Sequence, residues 1–363
     1  MKVLQVTNSL RSGGAEKLIA DTTNLYANEN IYISVLLMDG TKTPFLEKVS
    51  SNQIPIFSLG SGIKNIYNPL NIFKVLKYLK EYDIVHVHLF PALYWVAFAK
   101  ILSFSKCKMV VTEHNSTNRR RDNAFFKLLD PLIYKKYDQI VTISKSVDEN
   151  LKKHLGSKFK NFYKINNGID LHVFNNALPY SKKELNYKEN DNLLIQVSSF
   201  TPQKDQETLI RVMPLLPENY KLILVGTGPL ESQLKDLASE LNIVNKVHFM
   251  GIRSDVPRLL KSVDIVLLSS NYEGLSLSSV EGMACGKPFI ASDAPGLTEV
   301  VENAGLLFPI GDIDQLKDTI LKLTSDETFY QNLVNDCLKR ANEFDVNKMV
   351  QKHITLYKNL LGR

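Results

Sequence analysis

The chain has 363 residues, 44% of them hydrophobic and 23% charged, with a net charge of +6. This length exceeds one ordinary core and predicts two domains, and the composition excludes a disordered or fibrous chain. The positive excess favours anionic partners such as nucleotide phosphates or acidic lipid, while three isolated cysteines, Cys107, Cys285 and Cys337, exclude a disulfide framework and point to a reducing cytosol.

In chain order, MKVLQVTNSLRSGG holds too short an apolar run for a signal peptide, and KVLQVTN reads as a strand. AEKLIADTTNLYAN has helical spacing, and IYISVLLM, DIVHVHL, KMVVTEH and QIVTISK follow as strands. ALYWVAFAKILSF is too short to span a bilayer, carries Lys100, and reads as a buried helix. Continuous Val/Ile/Leu runs separated by amphipathic segments predict parallel strands covered on both faces by crossover helices. The polar, turn-rich stretch 171–192 marks a boundary. A second α/β series then runs through LLIQVSS, YKLILVGTG, KVHFMG, DIVLLSS, PFIASD and GLLFP. The expected architecture is two facing Rossmann-like domains, 1–175 and 190–345, with a cleft at the carboxyl ends of both sheets. A final helical segment, 346–363, is expected to pack back on the first domain.

Three loops have the makings of phosphate sites. Ser12-Gly13-Gly14-Ala15-Glu16 joins the first strand to the first helix, where glycines allow close approach and helix N–H groups are unpaired. Leu224-Val225-Gly226-Thr227-Gly228-Pro229 has a GxG after a strand, but Glu231 stands where a third glycine would complete a dinucleotide fingerprint, so NAD is disfavoured. The third is NYEGLSLSSVEGMACGKP, residues 271–288. Here a helix should start near Ser276 or Ser278, pass Glu281 and end at Ala284, with Gly286 in the left-handed conformation and Pro288 beyond. Glu273 then lies in the loop and Glu281 inside the helix. Spacing alone leaves two readings: a capping glutamate with a solvated one, or two carboxylates accepting sugar hydroxyls on either side of a bound phosphate.

EGLSLSSVEGMACGKPFIAS resembles the EGxGLxxxEAMAxGxPVVAS segment of retaining glycosyltransferases of GT-B fold, family 4 type. SGGAEKL, DIVHVHL, VTEHN, VTISKSV, INNGID, FTPQKDQETLI, LVGTGPLESQL and VHFMG extend the resemblance, in order, along nearly the whole chain. It implies transfer of a hexosyl or N-acetylhexosaminyl group from a nucleotide-diphosphate-sugar to an acceptor hydroxyl, with retention. It also implies that Glu281 holds the ribose, Glu273 the transferred sugar, and Lys204 and the N–H groups near Ser276 and Leu277 the diphosphate. Gly14 would approach the diphosphate from the first domain, Ile252 and Arg253 would border the base, and His114 would lie beside the sugar. Glu273, His114 and Lys204 are the expected catalytic set, with Gly226 in the donor loop. Relatives often carry arginine five residues before the lysine, where this chain has Ser199; Arg253 is the candidate replacement. Ser276 also replaces a motif glycine.

No cofactor is expected, the nucleotide-sugar being a substrate, and no metal. Asp312-Ile313-Asp314 is a DxD, but its place between GLLFP and a helical segment reads as a helix cap; His86 and His88 share a strand face without a third ligand in view. The basic run Arg119-Arg120-Arg121, with Gly13, is the acceptor-side candidate: a solvated loop, or a contact for a phosphate-bearing or lipid-linked acceptor at an anionic membrane. Nucleic acid is not expected, since no aromatic platform accompanies the run. The implied setting is bacterial surface polysaccharide or glycolipid assembly, in the cytoplasm or at the inner face of the membrane. Two alternatives stay open: a GT-B-fold nucleotide-sugar epimerase, and a non-catalytic nucleotide-sugar-binding relative.

Overall fold

The computed structural model describes residues 1–11, 13–115, 118–156, 158–273 and 276–363, and of Arg119 the backbone alone. The chain forms two compact units, residues 1–167 with 346–363, and residues 168–345.

The first unit is built on seven strands: β1 Lys2–Thr7, β2 Tyr32–Leu37, β3 Ile56–Ser58, β4 Ile84–His88, β5 Lys108–Glu113, β6 Gln139–Thr142 and β7 Phe162–Lys164. All pair in parallel, in the order β3-β2-β1-β4-β5-β6-β7. The central strands are buried on both faces because helices cover both faces. The helix Ala92–Ser103 buries Leu93, Val96 and Ala97 against one of them. The edge strands IFS and FYK are short and only half buried, which is why hydrophobic pattern alone does not reveal them. The final helix, Val346–Leu360, belongs to this unit. Val346, Met349, Val350, Ile354 and Tyr357 recur at helical spacing and join the apolar cluster of Val3, Ile19, Tyr26 and Ile33.

The second unit has β8 Asn192–Val197, β9 Tyr220–Val225, β10 Val247–Phe249, β11 Ile265–Leu268, β12 Phe289–Ser292 and β13 Leu306–Phe308, again all parallel. The order β10-β9-β8-β11-β12-β13 reverses direction between β8 and β11. Such a switch point separates the loops leaving two neighbouring strands and opens a crevice at their carboxyl ends. The short helix Leu171–Asn176 buries Leu171 and Phe174 in this second core, so the first unit's opening segment ends at Asn167, ahead of residue 175. The chain enters and leaves the second unit side by side, the Ile169 N–H donating to the Phe344 carbonyl at 2.9 Å. Among the described residues, no helix is long and apolar enough to cross a membrane.

Candidate active site

In the second unit the switch point brings Lys204 and Glu273 together. Lys204 ends a 3-10 turn, Pro202–Lys204, in the loop after β8. Its carbonyl accepts hydrogen bonds from Gln196 Nε2 at 3.0 Å and Ser269 Oγ at 3.1 Å, so the ends of β8 and β11 both hold it. The loop after β11 is fastened to the same turn: the Asn271 N–H donates to Gln203 O at 2.8 Å, Asn271 Nδ2 to Pro202 O at 2.9 Å, and Gln203 Nε2 to Tyr272 O at 2.9 Å. The Glu273 N–H is anchored on Pro295 O at 2.7 Å. On this frame the Lys204 ammonium pairs with the Glu273 carboxylate, which also accepts from Ser270 Oγ at 2.7 Å. Both side chains are largely buried, 15% and 9% exposed. A buried ion pair of this kind holds its partners in one geometry, because separating them strands a charge in a poorly hydrated place.

Beside the pair a helix runs from Leu277 to Ala284. Ser276 is its N-cap, its Oγ accepting from the Ser279 N–H at 3.3 Å. Val280, Met283 and Ala284 point into the core, while Leu277, Ser278 and Glu281 share the half-buried outer face. Gly286 has φ of 75°, the left-handed residue that ends the helix. Gly274 and Leu275 of this motif lie outside the described residues.

The glycines of the GxG loop serve the fold. A Cβ on Gly226 would lie 2.0 Å from Ser198 O, and one on Gly228 2.3 Å from Phe200 O. The loop packs directly on 198–200, with the Phe200 N–H donating to Thr227 O at 2.9 Å. Ser199 is exposed at this junction and its carbonyl accepts from Gln206 Nε2 at 2.9 Å. The Gly226 N–H donates to Gly251 O at 2.8 Å, which brings the strongly exposed Ile252 next to the same rim. Arg253 does not reach out as a free cation. Its Nε and Nη2 donate to Asp255 at 2.8 and 2.6 Å, and this guanidinium, with the Tyr180 hydroxyl, holds the Asp255 carboxyl well below its ordinary range.

In the first unit, Gly13 caps and Gly14 opens the helix Gly14–Asn28, and both are exposed; Ser12 lies outside the described residues. A Cβ on Gly14 would meet no atom within 4 Å, so packing does not demand glycine there. The Glu16 carboxylate folds back toward Gly13, and burial raises its carboxyl above the ordinary value. His114 follows β5 directly and is half buried. Its Nε2 lies 2.9 Å from His88 Nδ1, and burial lowers its pKa to about 4.

Two of the three arginines in the basic run depart from the solvated-loop expectation. Arg120 and Arg121 are buried. Arg121 pairs with Glu113 at 2.9 Å, and Arg120 reaches Asp130 at 3.4 Å while stacking on Phe90, Tyr94 and Phe126. Arg120 and Arg121 are therefore not solvated cations: each pairs with a buried carboxylate. The Arg119 side chain lies outside the described residues. Asp312 caps the helix Ile313–Ser325, its Oδ1 accepting from the Gln315 N–H at 2.9 Å. His86 and His88 are buried in hydrogen bonds to Tyr357, Thr112, Gln5 and His114. Sequence reasoning missed Ser270, Gln196 and Ser269, which position the ion pair. A signal existed for Gln196: an amide set within the apolar run that follows Asn192 in NLLIQV.

The Glycosyltransferase Family 4 profile matches residues 12–173, and Glycosyl transferases group 1 matches 179–343. The chain is 27% identical over 362 residues to the UDP-Gal:alpha-D-GlcNAc-diphosphoundecaprenol alpha-1,3-galactosyltransferase of Escherichia coli, covering 95% of this chain and 93% of that one. It is 29% identical to the N-acetyl-alpha-D-glucosaminyl L-malate synthase of Bacillus anthracis, over 77% of this chain and 75% of that one. The fold matches Anabaena HepE, whose crystal structure is a complex with UDP, at a TM-score of 0.85 and 23% identity, covering 99% of this chain and 100% of that one. Two consecutive family matches, two parallel Rossmann-like sheets and the motif residues Lys204 and Glu273 gathered at the switch point of the second unit agree: the chain belongs to the family 4 type of GT-B-fold glycosyltransferases.

Proposed function

We propose that the chain transfers a hexosyl or N-acetylhexosaminyl group from a UDP-sugar to an acceptor hydroxyl, with retention and without a metal, in surface polysaccharide or glycolipid assembly. The observation that carries it is the Lys204–Glu273 pair at the switch point of the second unit, ahead of the helix capped by Ser276. A diphosphate there meets a lysine and a helix N-terminus, both of which stabilise charge growing on the leaving group. Glu273 accepts hydrogen bonds from the hydroxyls of the transferred sugar, and Glu281, on the outer helix face, from those of the ribose. With Arg253 held by Asp255, Lys204 carries the phosphate clamp without a second arginine. His114, half buried at the end of β5, is the first unit's contribution to carbohydrate contact in this reading. UDP is the nucleotide because the E. coli relative uses UDP-Gal and the Anabaena neighbour binds UDP.

The acceptor is lipid-linked in this reading, as in the E. coli relative, and peripheral contact with anionic membrane rests on a separate observation. The helix Ala124–Tyr134 exposes Phe125, Leu128 and Leu132 along one stripe, with exposed Lys127, Lys135 and Lys136 beside it. Ile101, Leu102 and Phe104, at the end of the helix packed against it, are exposed as well. An apolar stripe flanked by lysines suits the headgroup region of an anionic bilayer.

The test is thermal unfolding with UDP, GDP, ADP and CMP, each with and without chelator. A ligand at a hundred times its dissociation constant adds about 2.7 kcal/mol to stability. UDP alone should raise the midpoint, equally in chelator. No response to any nucleotide would remove the donor site, and a response abolished by chelator would remove the metal-free clamp. Product anomer assignment by NMR then decides retention.

A further inference from the structure

Resting on the reading that His114 faces carbohydrate, we propose that Gln5 and His88 are positioning residues that fix the proton of His114 on Nε2. The ring then meets a substrate hydroxyl with a bare Nδ1 acceptor, and the final helix takes part through Tyr357.

The argument follows one row of hydrogen bonds inside the first unit. The side-chain oxygen of Gln5, on β1, lies 2.6 Å from His88 Nε2, on β4. An amide oxygen only accepts, so His88 carries its proton on Nε2. His88 is buried beside the His86 ring, at a centroid distance of 4.3 Å. Burial, then the nearby His114 and His353, hold its pKa well below the ordinary value. It is therefore neutral at pH 7, and its Nδ1 has only a lone pair. That lone pair faces His114 Nε2 at 2.9 Å, so His114 must donate from Nε2. His114 is itself neutral at pH 7, which leaves its Nδ1 without a proton. No hydrogen bond from a described residue is seen at that atom.

The orientation of Gln5 sets this polarity, and the final helix holds Gln5. The Gln5 amide nitrogen donates toward the Tyr357 hydroxyl at 3.4 Å. That hydroxyl also lies 2.5 Å from His86 Nδ1, and His86 Nε2 lies 2.7 Å from Thr112 Oγ1. Turning the Gln5 amide over would present N–H groups to His88 Nε2 and reverse every proton along the row to His114. His353, from the same helix, lies edge-on to His86 at 5.4 Å and bonds the Tyr26 hydroxyl at 2.8 Å. The neighbouring Glu113 is engaged by Tyr134, Arg121 and the Asn115 N–H, and its charge raises the His114 pKa by less than burial lowers it. Filler alone does not explain amides, imidazoles and a phenol in a core whose other members are mostly Val, Ile and Leu, since each buried polar group demands a partner. The row leads from the last helix to His114, its one half-buried member.

The experiment is long-range 1H–15N NMR of histidine rings in the full-length protein at pH 7. His114 should show a protonated Nε2 and a bare Nδ1; a proton on Nδ1 in the wild type overturns the proposal. Gln5→Met removes the acceptor that pins His88. It should populate the Nδ1-protonated form of His114 and lower kcat about tenfold, the rate equivalent of one misdirected hydrogen bond, with KM for the UDP-sugar within about twofold. Unchanged tautomer and kcat would equally overturn it. Tyr357→Phe, which keeps the buried shape, is the second variant and should act in the same direction more weakly, so a failure of Gln5→Met to fold leaves the proposal testable. Full turnover in His114→Ala would instead defeat the reading that His114 faces carbohydrate, while the ring spectra would still decide the tautomer.

Discussion

Lys204 and Glu273 stand 69 positions apart and meet only because β8 and β11 are neighbours in the sheet. Converting Glu273 to glutamine keeps the shape and one acceptor oxygen but removes the charge that pairs with Lys204. Turnover should fall by about 10² to 10³, the usual cost of one preorganised electrostatic contact, while UDP affinity from thermal shifts stays within a few-fold. Equal turnover would take Glu273 out of the mechanism. The glycines separate in the same way. Gly226 has φ of 136°, and a Cβ there would collide with Ser198 O, so Gly226→Ala should lower stability by about 2 kcal/mol or more. Gly14→Ala meets no atom and should leave the melting temperature unchanged or slightly raised. In the sequence both were simply glycines after a strand; only packing shows that one must be glycine and the other need not be.

At the scale of elements, the helix Leu277–Ala284 was legible end to end: a serine cap, a periodic core face, a left-handed glycine and a proline beyond it. These are local signals, and local chemistry sets helix ends. The helix Ala124–Tyr134 shows the opposite case. Its sequence AFFKLLDPLIY is apolar all round, yet Phe125, Leu128 and Leu132 stay outside while Asp130 is wholly buried. Asp130 is drawn in by Arg120, His154 and the Tyr94 hydroxyl, partners distant in sequence. The exposed stripe leads to a binding measurement. The protein should cosediment with vesicles containing phosphatidylglycerol and far less with pure phosphatidylcholine, and Leu128→Asp should abolish the difference without lowering the melting temperature. Equal sedimentation with both vesicles, or no effect of the substitution, removes this face from membrane contact.

At the scale of the whole chain, the final helix crosses back to complete the first core and carries His353 and Tyr357 into its centre. Burial lowers the pKa of His353 to about 3 and of His114 to about 4. In the unfolded chain both return to about 6.5, so below that pH the unfolded state binds more protons than the folded one. The stability contributed is whole above about pH 6.5 and is lost as pH falls toward the folded values. Between pH 6.5 and 4.5 a single such histidine costs roughly 2–3 kcal/mol. Melting temperature should therefore fall steeply across this range, and His353→Gln should flatten the fall. An unchanged slope in that variant would mean that His353 is not held neutral.

The two α/β units, most of their strands, the helix Leu277–Ala284 and the family were legible in the chain alone, because apolar period, capping residues and ordered motifs are properties of adjacent residues. Tertiary structure alone decided the rest. It assigned the short edge strands, whose pairing comes from a neighbour and not from their own pattern. It buried Arg120 and Arg121 against Asp130 and Glu113, where the linear run had read as a surface. It tied Arg253 to Asp255, and joined Gln5, His86, His88, His114 and Tyr357 into one row. Charges and protons are governed by what lies within a few ångströms, and in a parallel sheet those neighbours come from strands far apart along the chain.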